Sequence, residues 1–193
     1  YLHTVAPAHL QEDYDNAGLI VGNPFTEIKG VLICLDAVES IVDEAVSLGC
    51  NLIVAHHPII FRGLKQLNGK NYIERTVIKA IKNDIAIFAI HTNLDNVYYS
   101  GVNGKIAEKL KLSETTILLP KPGLTYLNTP VGAGMIGNLN TEMLTEEFLR
   151  FLKLQMDLQI IKVTDLCKTS IQRVAVCGGS GGFLLNAAKK QGA

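Results

Sequence analysis

The first half of the chain alternates short, continuously apolar runs with amphipathic stretches, and this pattern constrains the fold more than any other. The apolar runs are strand-sized and cover residues 31–35, 52–55 and 85–90. Between them, apolar side chains recur at helical spacing, at Ile41, Val42, Ala45 and Leu48 and again at Ile73, Val77, Ile78 and Ile81. Apolar strands separated by helices are typical of a parallel sheet covered on both faces. We therefore expect an α/β fold.

The composition indicates a folded chain and argues against several classes of protein. Of the 193 residues, 48% are hydrophobic and 19% are charged, which suits one large or two small domains with real cores. Lys plus Arg and Asp plus Glu both number 18, so no positive excess indicates bulk nucleic acid or an anionic membrane as a partner. No apolar run approaches the roughly 20 residues of a membrane helix, and residues 1–7 lack the features of a signal peptide.

The cysteines point to a reducing compartment. Four are present and no two form a CxxC pair: Cys34, Cys50, Cys167 and Cys177. We predict that they are buried free thiols and that the protein is cytoplasmic.

The second half of the chain predicts another α/β lobe. The turn-rich residues 119–123 are expected to link lobes at 1–119 and 120–193. Within the second lobe we expect strands at 131–136, 158–163 and 174–177, a helix at 144–156, and a final helix after the glycine-rich residues 178–182. Those glycines resemble a phosphate cradle, but a tight strand-to-helix turn is the preferred interpretation because no phosphate-binding motif is matched.

A weak internal repeat relates the two lobes. Residues 171–193 align without a gap on residues 28–50, at a constant offset of 143, and five of the 23 pairs are identical. The matching apolar pattern favours pseudo-symmetric lobes with mainly parallel sheets. In the first lobe a histidine-bearing strand comes next, so we expect the second lobe to be truncated at its C-terminal end.

Polar residues follow the predicted parallel strands, where ligand sites of such sheets gather. They are Asp36, then His56-His57-Pro58, then His91 with Asp95 four residues later. Zinc, manganese and iron accept imidazole together with carboxylate. The side chains of adjacent strand residues point to opposite faces of a sheet. We therefore expect His56 and His57 to bind two neighbouring ions, with Asp95 bridging them.

Simpler interpretations exist for each of these residues. A single histidine is usually packed or solvated, and Asp36 would also suit the cap of the following helix. Residues 15–19, which include Asp15 and Asn16, have the composition of a capping turn.

Four ordered motifs resemble the Nif-three-like proteins, also called GTP cyclohydrolase I type 2 homologues, over nearly the whole chain. The motifs are YDNAGLIVG at 14–22, NLIVAHHPIIF at 51–61, HTNLD at 91–95 followed by GVN at 101–103, and VAVCGGSG at 174–181. The resemblance implies the Nif-three-like fold, a centre of two divalent ions, a toroidal homohexamer and a cytoplasmic location.

Site residues follow from the resemblance by position. His56, His57 and Asp95 match metal ligands of the family, and the further family ligands, a His and a Glu four residues apart, have no counterpart before Ala193. His91, Asp15 and Asn16 are expected beside the ligands or the substrate. The implied activity is metal-dependent hydrolysis of a nucleotide, with GTP ring opening as the named reaction. A non-catalytic metal-stabilised scaffold and a two-metal phosphoesterase remain the alternatives.

Overall fold

The apolar runs of the first half form neighbouring strands of one sheet in the computed structural model, which describes residues 1–193. The strands are β1 (Gly18–Val21), β2 (Val31–Asp36), β3 (Leu52–His57) and β4 (Ala86–Ala89), in the order β1-β4-β3-β2. β3 pairs in parallel with both β2 and β4, as predicted, whereas β1 pairs antiparallel with β4. The short strand β1 was not expected, since residues 15–19 were interpreted as a turn.

Helices cover both faces of this sheet. They are α1 (Leu2–Val5), α2 (Glu39–Ser47), α3 (Tyr72–Lys82) and α4 (Thr92–Asp95), with a 3₁₀ turn at Ala8–Leu10. The core on one face joins Val42 of α2 and Val77 of α3 to Ile53 and Ile87 of the strands. On the other face, Ala6 packs near Val54 and Ile90, together with Leu2 of α1. The mixed α/β fold and its mostly parallel sheet are confirmed.

The start of α3 depends on a carboxylate that lies almost entirely inside the protein. Asn71 caps the helix through its Oδ1 atom, which accepts from the Glu74 backbone N–H at 2.9 Å. Glu74 is 4% exposed, and its Oε2 accepts from the backbone N–H groups of Asn68 and Lys70 at 3.2 and 3.1 Å. Burial raises the pKa of Glu74, but donation from these backbone N–H groups outweighs it, so the pKa lies below its usual value.

The second half of the chain builds an antiparallel sheet. Its elements are α5 (Val102–Lys109), β5 (Ser113–Tyr126), β6 (Thr129–Leu144), α6 (Thr145–Gln155), β7 (Ser170–Val176) and α7 (Leu185–Lys190), with a 3₁₀ turn at Gly182–Leu184. The strand order is β5-β6-β7, and both pairings are antiparallel rather than parallel. Phe148 of α6 packs with Leu139 and Val174, and Leu184 packs with Leu118 and Ile136.

The chain divides into two compact units, Tyr1–Leu94 and Asp95–Ala193, so the observed boundary precedes the one expected after residue 119. The reason is packing, because Ala107 of α5 forms a cluster with Ile117 and Met135 of the second sheet. The expected linker at 119–123 was also wrong, since it lies within β5. Pro120 is tolerated there because β5 is an edge strand.

One predicted strand of the second unit does not form. Residues 158–163 have no regular secondary structure, and Ile160 is 78% exposed. The segment is apolar enough for a strand, but it does not pair with a strand of either sheet. The strand predicted at 174–177 and the helix predicted at 144–156 correspond to β7 and α6.

The internal repeat has a clear local meaning. Gly49 and Gly192 occupy equivalent positions after α2 and α7, with φ angles of 67° and 87°. At the same two places the N–H of Cys50 donates to the carbonyl of Ala45 at 2.9 Å, and that of Ala193 to the carbonyl of Ala188 at 3.1 Å. Both helices therefore end in the same glycine-dependent C-cap. The likeness covers the strand–helix unit and not the sheets, which differ in strand direction.

All four cysteines are free thiols. Cys34, Cys50 and Cys177 are half-buried and Cys167 is exposed, so the expectation that all four thiols are buried was wrong. Partial burial raises the pKa of the thiols of Cys34 and Cys177. None of the helices has both the length and the apolar character needed to cross a membrane.

Candidate metal centre

Three histidines meet at the carboxyl ends of two neighbouring strands. His56 and His57 end β3, and His91 follows β4, which pairs with β3 in parallel. Their ring centroids lie 5.0 Å apart for His56 and His57, 5.2 Å for His56 and His91, and 5.5 Å for His57 and His91. One ring nitrogen of each lies within 4.8 Å of the others. The parallel topology therefore brings together residues that are separated in the sequence.

His56 and His57 do not diverge as adjacent strand residues were expected to. Their rings are tilted by 51° and sit side by side. Both residues belong to β3, and His57 is its last residue, directly before Pro58. One ring nitrogen of each nevertheless lies within 4.8 Å of the other. The local geometry thus allows both histidines to face one ion.

The Nδ1 atom of each imidazole in the cluster is hydrogen-bonded to an oxygen atom. The partners are the Ile90 carbonyl for His56 at 3.0 Å, Asp36 Oδ1 for His57 at 2.8 Å, and Asp15 Oδ1 for His91 at 2.8 Å. A carbonyl or an ionised carboxylate can only accept, so the neutral imidazoles carry their proton on Nδ1. Nε2 is then the ring nitrogen that carries a lone pair in all three rings.

This donor set fits a divalent transition metal ion. Neutral imidazole nitrogen is a preferred ligand of zinc, and second partners on Nδ1 are usual for metal-binding histidines. Tetrahedral coordination with bonds of about 2.0–2.1 Å places ligand nitrogens about 3.4 Å apart. The separations here are at most 4.8 Å, and the His57 side chain, 47% exposed, has room to close the difference.

Asp15 is a buried carboxylate whose hydrogen bonds hold the His91 segment in place. Its side chain is inaccessible to solvent. Oδ1 accepts from His91 Nδ1 at 2.8 Å and from the Asn16 backbone N–H at 2.7 Å, while Oδ2 accepts from the Thr92 backbone N–H at 3.0 Å and from the Thr92 hydroxyl. Burial raises the pKa of Asp15, but donation from His91, Thr92 and Asn16 outweighs it and lowers the pKa below its usual value.

Two residues missed by sequence analysis complete the support of His91. Thr92 is 6% exposed and Asn93 is 2% exposed. Asn93 Oδ1 accepts from the His91 backbone N–H at 2.9 Å, and its Nδ2 donates to the Ala6 carbonyl at 2.8 Å. Their polar side chains within the motif HTNLD were the only sequence signal. Asn16, by contrast, is exposed and donates from Nδ2 to the Ile60 carbonyl at 2.7 Å.

Asp36 has a different place from the helix cap considered above. The N-cap of α2 is Val38, whereas Asp36 is the last residue of β2 and reaches His57. The ladder between β2 and β3 pairs Asp36 directly with His57. Sequence analysis placed both residues at strand ends but did not connect them.

Asp95 ends α4 and is the first residue of the second unit. Its carbonyl accepts from Asn103 Nδ2 at 3.0 Å, and Asn103 Oδ1 accepts from the Gly178 backbone N–H at 2.8 Å. A Cβ at Gly178 would lie 2.6 Å from Val102 Cγ1, so this turn requires glycine for its close approach to α5. The ligand role of Asp95 stays a prediction.

Two exposed aromatic rings border the histidines. Tyr14 and Phe61 are 66% and 47% exposed, and their nearly parallel rings have centroids 6.4 Å apart. The Phe61 ring also meets His91 edge-on, with centroids 5.9 Å apart. The cluster thus lies next to an apolar surface.

Comparison with known proteins identifies the family. The model of the DUF34/NIF3 (NGG1p interacting factor 3) family matches residues 1–193. The chain belongs to the DUF34/NIF3 family. Relatives named GTP cyclohydrolase 1 type 2 homolog include one from Clostridium perfringens, 31% identical over all of this chain and 71% of the relative. Another, from Lactococcus lactis, is 38% identical over 92% of this chain and 66% of the relative.

Solved structures agree with the DUF34/NIF3 assignment. A Bacillus cereus protein related to NIF3 superposes with a TM-score of 0.90 at 27% identity, covering 100% of this chain and 78% of that one. Reduced HcgD from Methanocaldococcus jannaschii gives a TM-score of 0.65 at 31% identity, covering 79% of this chain and 56% of that one. The predicted family and its fold are therefore confirmed.

Proposed function

We propose that this DUF34/NIF3 protein binds divalent metal ions through His56, His57 and His91 and acts as a metal-dependent hydrolase. The observation that carries the proposal is the convergence of three imidazoles whose Nδ1 atoms are already held by oxygen acceptors. Hydrogen bonds to exposed histidines contribute little to the stability of a fold, so stability alone does not account for this arrangement. Three histidines that each bring a ring nitrogen within 4.8 Å of the others have the donor chemistry of a metal site.

The proposal includes Asp95 as a further ligand and two ions per chain. Asp95 lies four residues after His91, and a carboxylate is the usual companion of imidazole in such centres. Zinc, manganese and iron all suit this donor set. The homohexamer and the cytoplasmic location implied by the family resemblance belong to the same proposal.

A divalent ion held here would supply a Lewis acid, which polarises substrate oxygens and lowers the pKa of water. The chain's own residues would hold and surround that centre. Asp15 fixes the orientation of His91, and the exposed position of His57 leaves the cluster accessible from solvent. Tyr14 and Phe61 offer apolar surface to a substrate at the rim.

The substrate class follows from the names of the relatives. They are GTP cyclohydrolase 1 type 2 homologs, so a purine nucleotide that loses formate on ring opening is the first substrate to assay. Hydrolysis of a phosphate ester would need the same kind of centre.

Metal content tests the binding proposal. The purified chain is incubated with zinc, manganese or ferrous ion, dialysed, and its bound metal counted by mass spectrometry. We expect the double variant His56→Ala/His57→Ala to lose bound metal and Asp95→Ala to lose one ion per chain. His9→Ala, at an exposed histidine outside the cluster, is the matched control and should equal the wild type. Unchanged stoichiometry in the double variant would reject the proposal.

Turnover tests the hydrolase proposal separately. The metal-loaded protein is incubated with GTP and with phosphate monoesters, and formate and phosphate are measured. Formate release that disappears in His56→Ala/His57→Ala supports the proposed reaction, and phosphate release would reassign the enzyme as a phosphoesterase. Bound metal with neither product would refute catalysis on these substrates and favour a metal-stabilised scaffold.

A further inference from the structure

We infer that Asp36 is a positioning residue that fixes the tautomer of His57. Asp36 Oδ1 lies 2.8 Å from His57 Nδ1. The contact requires the proton of the neutral imidazole to sit on Nδ1, which leaves the Nε2 lone pair directed to the cluster. The inference rests on the proposed metal centre for its purpose, while the tautomer itself is measured without metal.

The register between β2 and β3 places Asp36 next to His57. β2 and β3 run in parallel, and Asp36 is the direct partner of His57 in their ladder. Paired residues on neighbouring strands project to the same side and lie close enough for their side chains to meet. Asp36 therefore reaches Nδ1 without a loop having to place it, and the pair ends the ladder on the side of the histidine cluster.

Stability is a poor explanation for this contact. The side chains of Asp36 and His57 are 59% and 47% exposed, and polar contacts so open to solvent contribute little to the free energy of unfolding. Asp36 also does not cap α2, whose N-cap is Val38. The remaining consequence of the contact is the orientation and tautomer of His57.

His57 is the cluster member that most needs such a partner. His91 is 15% exposed and is held by a buried carboxylate, and the Nδ1 atom of His56 meets a backbone carbonyl that the sheet fixes. His57 is about half exposed and would otherwise be free to turn toward water. Without Asp36, a metal ion would have to select the correct tautomer and orientation during binding.

The tautomer is measured directly by nuclear magnetic resonance. Long-range proton–nitrogen correlation of the nitrogen-15-labelled, metal-free chain at about pH 8, where imidazole is ordinarily neutral, distinguishes a protonated ring nitrogen from one with a lone pair. We expect His57 to carry its proton on Nδ1 in the wild type. In Asp36→Ala the proton should move to Nε2 for a substantial fraction of molecules. In Asp36→Asn the amide oxygen still accepts, so the wild-type tautomer should be largely retained.

Asp43→Ala is the matched control. Like Asp36, Asp43 is an exposed aspartate whose carboxylate contacts a side chain of the same unit, here Lys79, but it lies on α2 away from the histidines. Its removal should leave the His57 tautomer and the zinc affinity unchanged. We expect Asp36→Ala to weaken zinc binding by about 10- to 100-fold and Asp36→Asn to weaken it less.

Two results would overturn the inference. One is a wild-type His57 protonated on Nε2, which needs no variant and so holds even if Asp36→Ala fails to fold. The other is an unchanged tautomer in Asp36→Ala, and zinc affinity lost equally in Asp36→Asn would then indicate a carboxylate that binds the ion itself. A wild-type chain with the expected tautomer that binds no metal would reject the proposed function and leave the role of Asp36 standing.

Discussion

Replacing Asp15 by Asn is a sharp test of how the His91 segment is held. The substitution keeps the shape of the side chain but removes its charge and one acceptor. If the new amide nitrogen faces Thr92, the backbone N–H of that residue, which is 6% exposed, loses its acceptor. A buried donor without a partner costs about 1–3 kcal/mol. The bonds from His91 and Asn16 would also become neutral, at a cost of about 1 kcal/mol each.

The total loss should be about 2–4 kcal/mol, because the neutral amide is cheaper to bury than the carboxylate. Urea unfolding followed by far-ultraviolet circular dichroism measures it, since the chain has no Trp for fluorescence. Asp13→Asn is the control, because Asp13 is exposed two residues away and should change stability by less than about 0.5 kcal/mol. If Asp15→Asn is as stable as that control, Asp15 does not hold the segment as described.

Three further changes test the core, a close backbone approach between β5 and β6, and a buried carboxylate. Ile53→Ala, at a fully buried position of β3, should lower the free energy of unfolding by about 2–5 kcal/mol, whereas Ile160→Ala, 78% exposed, should stay within about 0.5 kcal/mol in the same urea assay. Gly132→Ala should lower the free energy of unfolding by more than about 1 kcal/mol and lower the melting temperature, because the new Cβ would lie 2.2 Å from a backbone oxygen. Gly63→Ala is the control: its Cβ would meet no atom within 4 Å, so this variant should melt near the wild type. Because the pKa of Glu74 is lowered in the folded state, the ionised carboxylate stabilises the protein fully above its unfolded pKa of about 4.3. This stabilisation is lost as pH falls through the lower folded pKa. The difference in free energy of unfolding between the wild type and Glu74→Gln should therefore narrow below about pH 4. A gap that widens in acid would contradict the assignment.

The sequence predicted the elements whose pattern is set by burial on both faces. β2, β3 and β4 were recognisable because their apolar runs are continuous, and α2 and α3 because their apolar stripes have helical spacing. The short strand β1 lacked such a signal, since only Val21 of its four residues is buried. Residues 158–163 had the opposite problem, because apolar content alone provides no partner strand.

The parts of the site that depend on the order and direction of the strands could be predicted from the sequence, whereas the contacts that depend on strand register could not. Parallel strands bring their carboxyl ends together, so His56, His57 and His91 were expected near one another. The contact between Asp36 and His57 depends on which residues of β2 and β3 pair, and local sequence does not specify that. The inclusion of residues 119–123 in β5 likewise depended on a distant partner, β6, rather than on the turn-forming residues themselves.

The position of Asp15 just before β1 links the centre to the shortest pairing of the first sheet. β1 spans only Gly18–Val21 and has an irregular register against β4 between Leu19 and Val21. Local opening of such an edge requires far less free energy than global unfolding. Fraying of β1 would withdraw the carboxylate from His91 while the central strands stay folded. The histidine cluster would then lose order whenever β1 opens, long before the core of the unit becomes exposed, and amide hydrogen exchange in β1 would report that opening.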